Sequence, residues 1–219
     1  MPTHLEIIDE MAILNLGDDE NRFSPDWLTT VNGYLDRIES GEAKALVTTG
    51  SGKFYSNGLD LDWLAAHSDQ RDWYIDQVQQ LLARVLVAPV PTVAAVNGHA
   101  FGAGAMLGIA HDFRIMRVDR GYYCFPEVDI RIPFTPGMAA VIQAKLSPAA
   151  AVDAMTTGRR YGGADAEAIG MVTATAPEGK VTSAAVDLVT ALKGKDPGTL
   201  QAIKSTMFAG ATAALRGTA

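Results

Sequence analysis

The sequence predicts a single α/β domain coiled from strand–strand–helix turns, and three observations carry that expectation. Two short apolar segments, residues 45–49 and 92–96, each run into a glycine-rich loop and then a helical pattern. The strand, loop and helix theme recurs about every fifty residues, as a stack of similar turns would repeat it. From Pro148 onward the pattern turns mainly helical, which sets a helical region, 148–219, behind a core formed by 1–147.

Taken in order, residues 4–9 and 11–16 are β-type runs that meet at the acidic pair Asp9-Glu10 and predict an opening hairpin. Ser24 is a helix N-cap with Pro25 at the first helical position, and Trp27, Leu28, Val31, Leu35 and Ile38 follow at helical spacing. Residues 45–49 form a strand that ends in Gly50-Ser51-Gly52, and a loop spans 53–62. Residues 69–87 place Ile75, Val78, Leu82 and Val85 on one helical face until Pro89 and Pro91 intervene. The strand at 92–96 enters Asn97-Gly98, a glycine-spaced turn and an apolar helix at 103–110. Residues 113–118 and 122–125 predict two further strands. Helices follow at 149–156, 164–169, 181–192 and 199–208, with a small strand at 172–174 between them.

Composition narrows the function classes. The 25 acidic and 18 basic residues give a net charge of −7 without long runs of either sign, so neither a nucleic acid nor an anionic membrane is the expected partner. A single cysteine, Cys124, cannot close an internal disulfide. No stretch reaches the roughly 20 apolar residues of a membrane span. The N-terminal MPTHLEIID lacks a signal pattern and the C-terminal RGTA is not a peroxisomal address, so the cytoplasm is the expected compartment. No cluster has metal-ligand spacing, and no serine–histidine–acid pattern stands out.

The segment Gly98-His99-Ala100-Phe101-Gly102-Ala103-Gly104 lies where a strand passes into a helix. Glycines there let backbone approach a ligand, and the free N–H groups of the helix point outward with partial positive charge behind them. Ser56-Asn57-Gly58-Leu59-Asp60 follows the previous strand and offers a second inward N–H at Leu59. Each loop alone is also explained by tight packing or a plain Asn-Gly turn. Two such donors aimed at one oxygen are what an enolate or tetrahedral intermediate requires.

The segments GKFYSNGLDLD (52–62), PTVAAVNGHAFGAGAMLGIAHD (91–112) and PEVDIRI (126–132), in this order and spacing, resemble the crotonase, or enoyl-CoA hydratase/isomerase, family over nearly the whole chain. The resemblance implies a spiral of β-β-α turns, a helical C-terminal trimerisation region, and a homotrimer or homohexamer. It also implies a coenzyme A thioester as substrate with no separate cofactor, and oxyanion donors at the N–H groups of Leu59 and Ala103. Ser56 and Asn57, with Gly58 and Gly102 beside the donors, belong to the expected ligand-binding backbone, and Arg22 lies where the family approaches the nucleotide phosphates.

The family's hydratases use two glutamates. Here Met106 occupies the first position and Glu127 the second. One carboxylate can remove a proton from one carbon and return it to another, which is a double-bond shift, and burial beside Phe125, Ile132 and Phe134 is expected to raise its pKa. The resemblance is strongest to plant-type Δ3,Δ2-enoyl-CoA isomerases, so the expected catalytic set is Glu127, Leu59 and Ala103, with Met106 lining the ligand site. A different reaction on a specialised acyl-CoA, such as hydration, thioester hydrolysis or decarboxylation, and a silent acyl-CoA-binding role stay open at this point. So does assistance from Asp129, expected on the same side of an extended segment as Glu127, or from His99.

Overall fold

The computed structural model describes residues 2–218. Strands β1 (His4–Ile8) and β2 (Met11–Asn15) form the predicted antiparallel hairpin, turned by Asp9 and Glu10, both at positive φ. Helix α1 (Pro25–Arg37) starts at the predicted cap, with Ser24 Oγ accepting from Trp27 N, and buries Trp27, Leu28, Val31 and Leu35. Strand β3 (Ala45–Thr49) is buried along its whole length, because both faces of its sheet are covered. Strand β4 (Phe54–Ser56) lies inside the predicted loop, helix α2 (Leu61–Ala66) begins at its end, and a 3-10 turn (Ser68–Gln70) precedes α3 (Arg71–Leu86), which starts two residues later than predicted.

The next turn of the chain repeats the plan with β5 (Thr92–Val96), β6 (His99–Phe101) and α4 (Ala103–Ala110). A third turn has β7 (Phe113–Arg117), β8 (Tyr123–Cys124), the single helical turn α5 (Glu127–Ile130) and α6 (Pro136–Lys145). Beyond lie α7 (Pro148–Thr157), α8 (Gly163–Ala168), β9 (Ala174–Ala176), α9 (Val181–Thr190), α10 (Pro197–Met207) and α11 (Ala209–Leu215). The small strand sits two residues later than expected, and α6 and α11 occupy segments with no predicted element.

Each turn contributes one strand to each of two sheets. The larger has the order β1-β2-β3-β5-β7-β9, parallel apart from the opening hairpin, and the smaller is the parallel set β4-β6-β8. This is the expected spiral of β-β-α turns. Leu46, Ala94 and Met116 of the large sheet face the main core with α1, α3 and α4, whereas Ala45, Val47, Val93, Ala95 and Ile115 pack beneath Val181, Ala185 and Val189 of α9. Alternation along a strand divides the two cores.

Several buried polar groups tie the sheet and helices together. Thr48 Oγ1 bonds both Tyr55 Oη at 2.8 Å and His111 Nε2 at 2.9 Å. Arg114 gives its guanidinium N–H groups to the carbonyls of Met171, His111 and Ile109. These bonds fix the ends of β3, α4 and β7 relative to one another, and the two loops of the small sheet are built on that frame.

Candidate active site

Ser56 and Ala100 are register partners in the parallel pair β4–β6. Three residues beyond each lies a candidate donor, Leu59 on one loop and Ala103 on the other. Gly58, at φ +78°, presses against the second loop: a Cβ there would stand 2.8 Å from Ala103 N and 2.7 Å from Phe101 O. Only glycine fits both that backbone conformation and that approach. Ala103 opens α4, so its N–H has no intrahelical partner, and neither it nor Leu59 N donates to another group among the described residues.

The first loop is pinned to residues 20–23. Ser56 Oγ donates to Asn21 O at 2.7 Å and accepts from Gly58 N at 3.1 Å, Asn57 N donates to Glu20 O, and Phe23 N donates to Gly58 O. Tyr74 Oη accepts from Asp60 N and donates to Phe23 O. Ser56 is fully buried, and a Cβ at Gly104 would collide with it. Ser56 and Gly58 therefore stand behind the cavity wall and hold its backbone, while Asn57, Leu59, Gly102, Ala103 and Met106 lie on the wall itself.

That wall encloses a cavity of about 380 Å³. Glu127 also lines it, set by the strand β8, by Phe125 in the core and by Pro126 at the cap of α5. The residue is 8% exposed, and its Oε2 atom is buried without a hydrogen-bond partner. Burial pushes its pKa up to about 7, since desolvation disfavours the anion. Its Oε1 lies beside Gly102, where an added Cβ would stand 3.4 Å away. The carboxyl group and the Ala103 amide thus flank one residue of backbone. Ile75, Phe134 and Met138 supply apolar wall on the other side.

Other sequence candidates fall elsewhere. Arg22 lines the cavity with its guanidinium bound to Glu20 and, at 2.6 Å, to Asp62. His99 stacks among Phe54, Phe101 and Tyr122 on the small sheet and is not a lining residue. Asp129 does not share the side of Glu127, because the segment is a helical turn rather than extended chain. Its carboxylate lies against Gly158 instead. Trp63 stacks on His67 and Tyr74 is in the core, while Leu61, Asp62, Arg71 and Ile75 of the same region line the cavity. Cys124 also lines it, with Sγ donating to Gly158 O and burial holding the thiol up at about 11, a protonated and unreactive form. Among the described residues no group of three or more His, Cys, Asp or Glu side chains could hold a metal ion, and no helix is long and apolar enough to cross a membrane.

Comparison with known proteins bears on the family and the fold. Residues 10–218 match the family model described as enoyl-CoA hydratase/isomerase. Enoyl-CoA delta isomerase 3 of Arabidopsis thaliana is 37% identical over 201 residues, 87% of this chain and 84% of that protein, and the peroxisomal enoyl-CoA delta isomerase 2 of the same plant is 34% identical over 77% and 74%. Among solved structures, a probable enoyl-CoA hydratase of Mycobacterium tuberculosis H37Rv superposes with a TM-score of 0.92 at 25% identity, covering 100% of this chain and 93% of that one. Human mitochondrial delta3-delta2-enoyl-CoA isomerase shares the fold, with a TM-score of 0.87 at 21% identity over 97% of this chain and 85% of that one. On the extent of these matches and on its two-sheet spiral, the chain belongs to the enoyl-CoA hydratase/isomerase family.

Proposed function

We propose that the chain is a Δ3,Δ2-enoyl-CoA isomerase that moves a β,γ double bond of an acyl-CoA to the α,β position. In this reading the thioester oxygen accepts hydrogen bonds from the Leu59 and Ala103 amides. The Glu127 carboxylate removes a proton from the α-carbon, the two donors stabilise the dienolate, and Glu127 returns the proton to the γ-carbon. The coenzyme A thioester is the substrate and no further cofactor takes part.

One observation carries the reading: Glu127 is the single lining carboxyl group held near neutrality by burial, while the other lining acid, Asp62, is exposed and bound to Arg22. Met106, buried on the same wall, leaves no second acid to activate water. Relatives named enoyl-CoA delta isomerase support the same choice. A hydratase is the second reading, favoured by the 32% identical putative enoyl-CoA hydratase of Thermus thermophilus. The proposed assembly is a homotrimer or homohexamer through the helical C-terminal region, and the proposed compartment is the cytoplasm, although two of the plant relatives are peroxisomal by name.

Incubation with a 3-enoyl-CoA, followed by absorbance of the conjugated product, tests the proposal. Formation of the 2-enoyl thioester supports it. Tight thioester binding without product would refute it, and rapid water-dependent loss of a 2-enoyl-CoA would favour the second reading.

A further inference from the structure

One side chain of α3 enters the backbone ladder beside the first loop. Arg22 and Gly58 form a parallel bridge, and Phe23 N donates to Gly58 O at 2.8 Å. In a parallel pair the N–H and C=O of one residue bond to residues two apart on the neighbouring strand, so the next rung would run from Asp60 N to Phe23 O. That rung is not made directly. The Tyr74 hydroxyl occupies it, accepting from Asp60 N at 2.8 Å and donating to Phe23 O at 2.9 Å.

The two rungs flank Leu59. Its peptide link to Gly58 is trans, so the Gly58 C=O and the Leu59 N–H point in opposite directions. With the carbonyl turned to Phe23, the amide hydrogen is turned the other way, toward the side on which Gly58 meets Ala103 N. Beyond Leu59 the inserted hydroxyl holds Asp60 one oxygen atom further from Phe23 than a direct bond would. Leu59 is thereby carried forward to the cavity wall.

Tyr74 is suited to this role. It is fully buried, its ring packs on Trp63 with centroids 5.1 Å apart, and it does not line the cavity. Burial pushes its hydroxyl up to about 12, so it keeps the proton that it donates to Phe23. We infer that Tyr74 is a positioning residue, whose hydroxyl sets the reach of the Leu59 amide toward the thioester oxygen without touching the substrate. The inference rests on the reading of Leu59 as an oxyanion donor.

Tyr74→Phe tests it, because the bridging oxygen is removed and the ring is kept. On a 3-enoyl-CoA kcat should fall about 10–100-fold, short of the loss of a whole oxyanion donor, with KM changed by less than about threefold. A second readout needs no turnover: infrared difference spectroscopy of hexanoyl-CoA, isotope-labelled at the thioester carbonyl and bound to the full chain. In the parent protein the carbonyl band should lie below its position in the free ligand, and in Tyr74→Phe it should move back toward that position. Para-aminophenylalanine in place of Tyr74 restores a donor and an acceptor at the same point and should recover both kcat and the band. Val189→Ala, which opens the core under α9 away from both loops, should lower the melting temperature and leave the band unmoved. A band that Tyr74→Phe leaves in place, or that Val189→Ala moves equally, would overturn the role of Tyr74, as would a loss that the amino analogue does not recover. A parent band at the free-ligand position would remove the donor pair and the inference with it. A parent without turnover whose band still answers to Tyr74→Phe would refute the isomerase reading and uphold the role of Tyr74.

Discussion

The carboxyl group of Glu127 lies beside Gly102, where an added Cβ would stand 3.4 Å from its Oε1, and the Gly102 carbonyl opens the hydrogen-bond ladder of α4. The chain reaches Gly102 at φ +52° and ψ −124°, a conformation that side chains other than hydrogen rarely adopt. The proposed acid and the first amides of α4 are thereby held at one point of backbone.

Glu127→Gln keeps shape and loses basicity. Activity on 3-enoyl-CoA should fall by about 10²–10⁴-fold with thioester affinity retained, measured by steady-state kinetics and calorimetry. In the parent protein the reactive form is the carboxylate, so kcat/KM should rise as pH passes through about 7.

The same residue makes a stability prediction. Its folded pKa is raised above the ordinary value of 4.5, so between those two values the native state binds the proton that the unfolded state releases. Stability should decline across that window as pH rises, by on the order of 3 kcal/mol. Denaturant titration at pH 5 and pH 8 measures the decline, and Glu127→Gln should flatten it.

His111 acts in the opposite direction. Burial holds its pKa down at about 3, below the ordinary 6.5, so the neutral ring is favoured in the fold, where it bonds Thr48 and Leu107. Its contribution is fully present above pH 6.5 and is lost as pH falls toward 3, amounting to several kcal/mol. Acid unfolding followed by circular dichroism should move to lower pH in a His111→Gln variant.

Gly58→Ala would drive a methyl group into Phe101 O and Ala103 N. Spreading the two loops should cost about 10²–10³-fold in kcat, the scale of one lost oxyanion donor, and about 1–3 kcal/mol of stability from the positive φ. Kinetics and thermal melts read the two effects separately.

Lys204→Met leaves the Asp112 carboxylate without its cation at a site where Lys204 is 4% exposed. Removing one member of a buried pair costs about 3–5 kcal/mol. The double variant Lys204→Met with Asp112→Asn should recover part of that loss in denaturant melts.

Much of this was legible in the chain. Ser24-Pro25 announces α1, and the glycine at 102 announces the start of α4, because caps and tight turns are local physics. By the same logic Thr135-Pro136 announces α6, where Thr135 Oγ1 accepts from Met138 N, a signal hidden among prolines that read as irregular. Strands β4 and β6 have three residues each, too few for alternation to show. Both glycine loops were visible as a place for backbone chemistry, but the inward packing of Ser56 and the removal of His99 to an aromatic stack depend on neighbours from other turns. Asp129 was misplaced because four residues in a helical turn and four in an extended strand look alike by composition. The Lys204–Asp112 pair was out of reach, since it spans 92 positions.

The pairing of β4 with β6 acts as a ruler. The distance between neighbouring strands, about 4.8 Å in any sheet, sets the separation of the loops that leave them, and no side chain enters that measurement. Sequence can drift widely around such a gauge, as in the human mitochondrial protein that shares the fold at 21% identity. Variation is then free to act on the walls, where Met106, Met138 and Phe134 stand, and on which acids remain there.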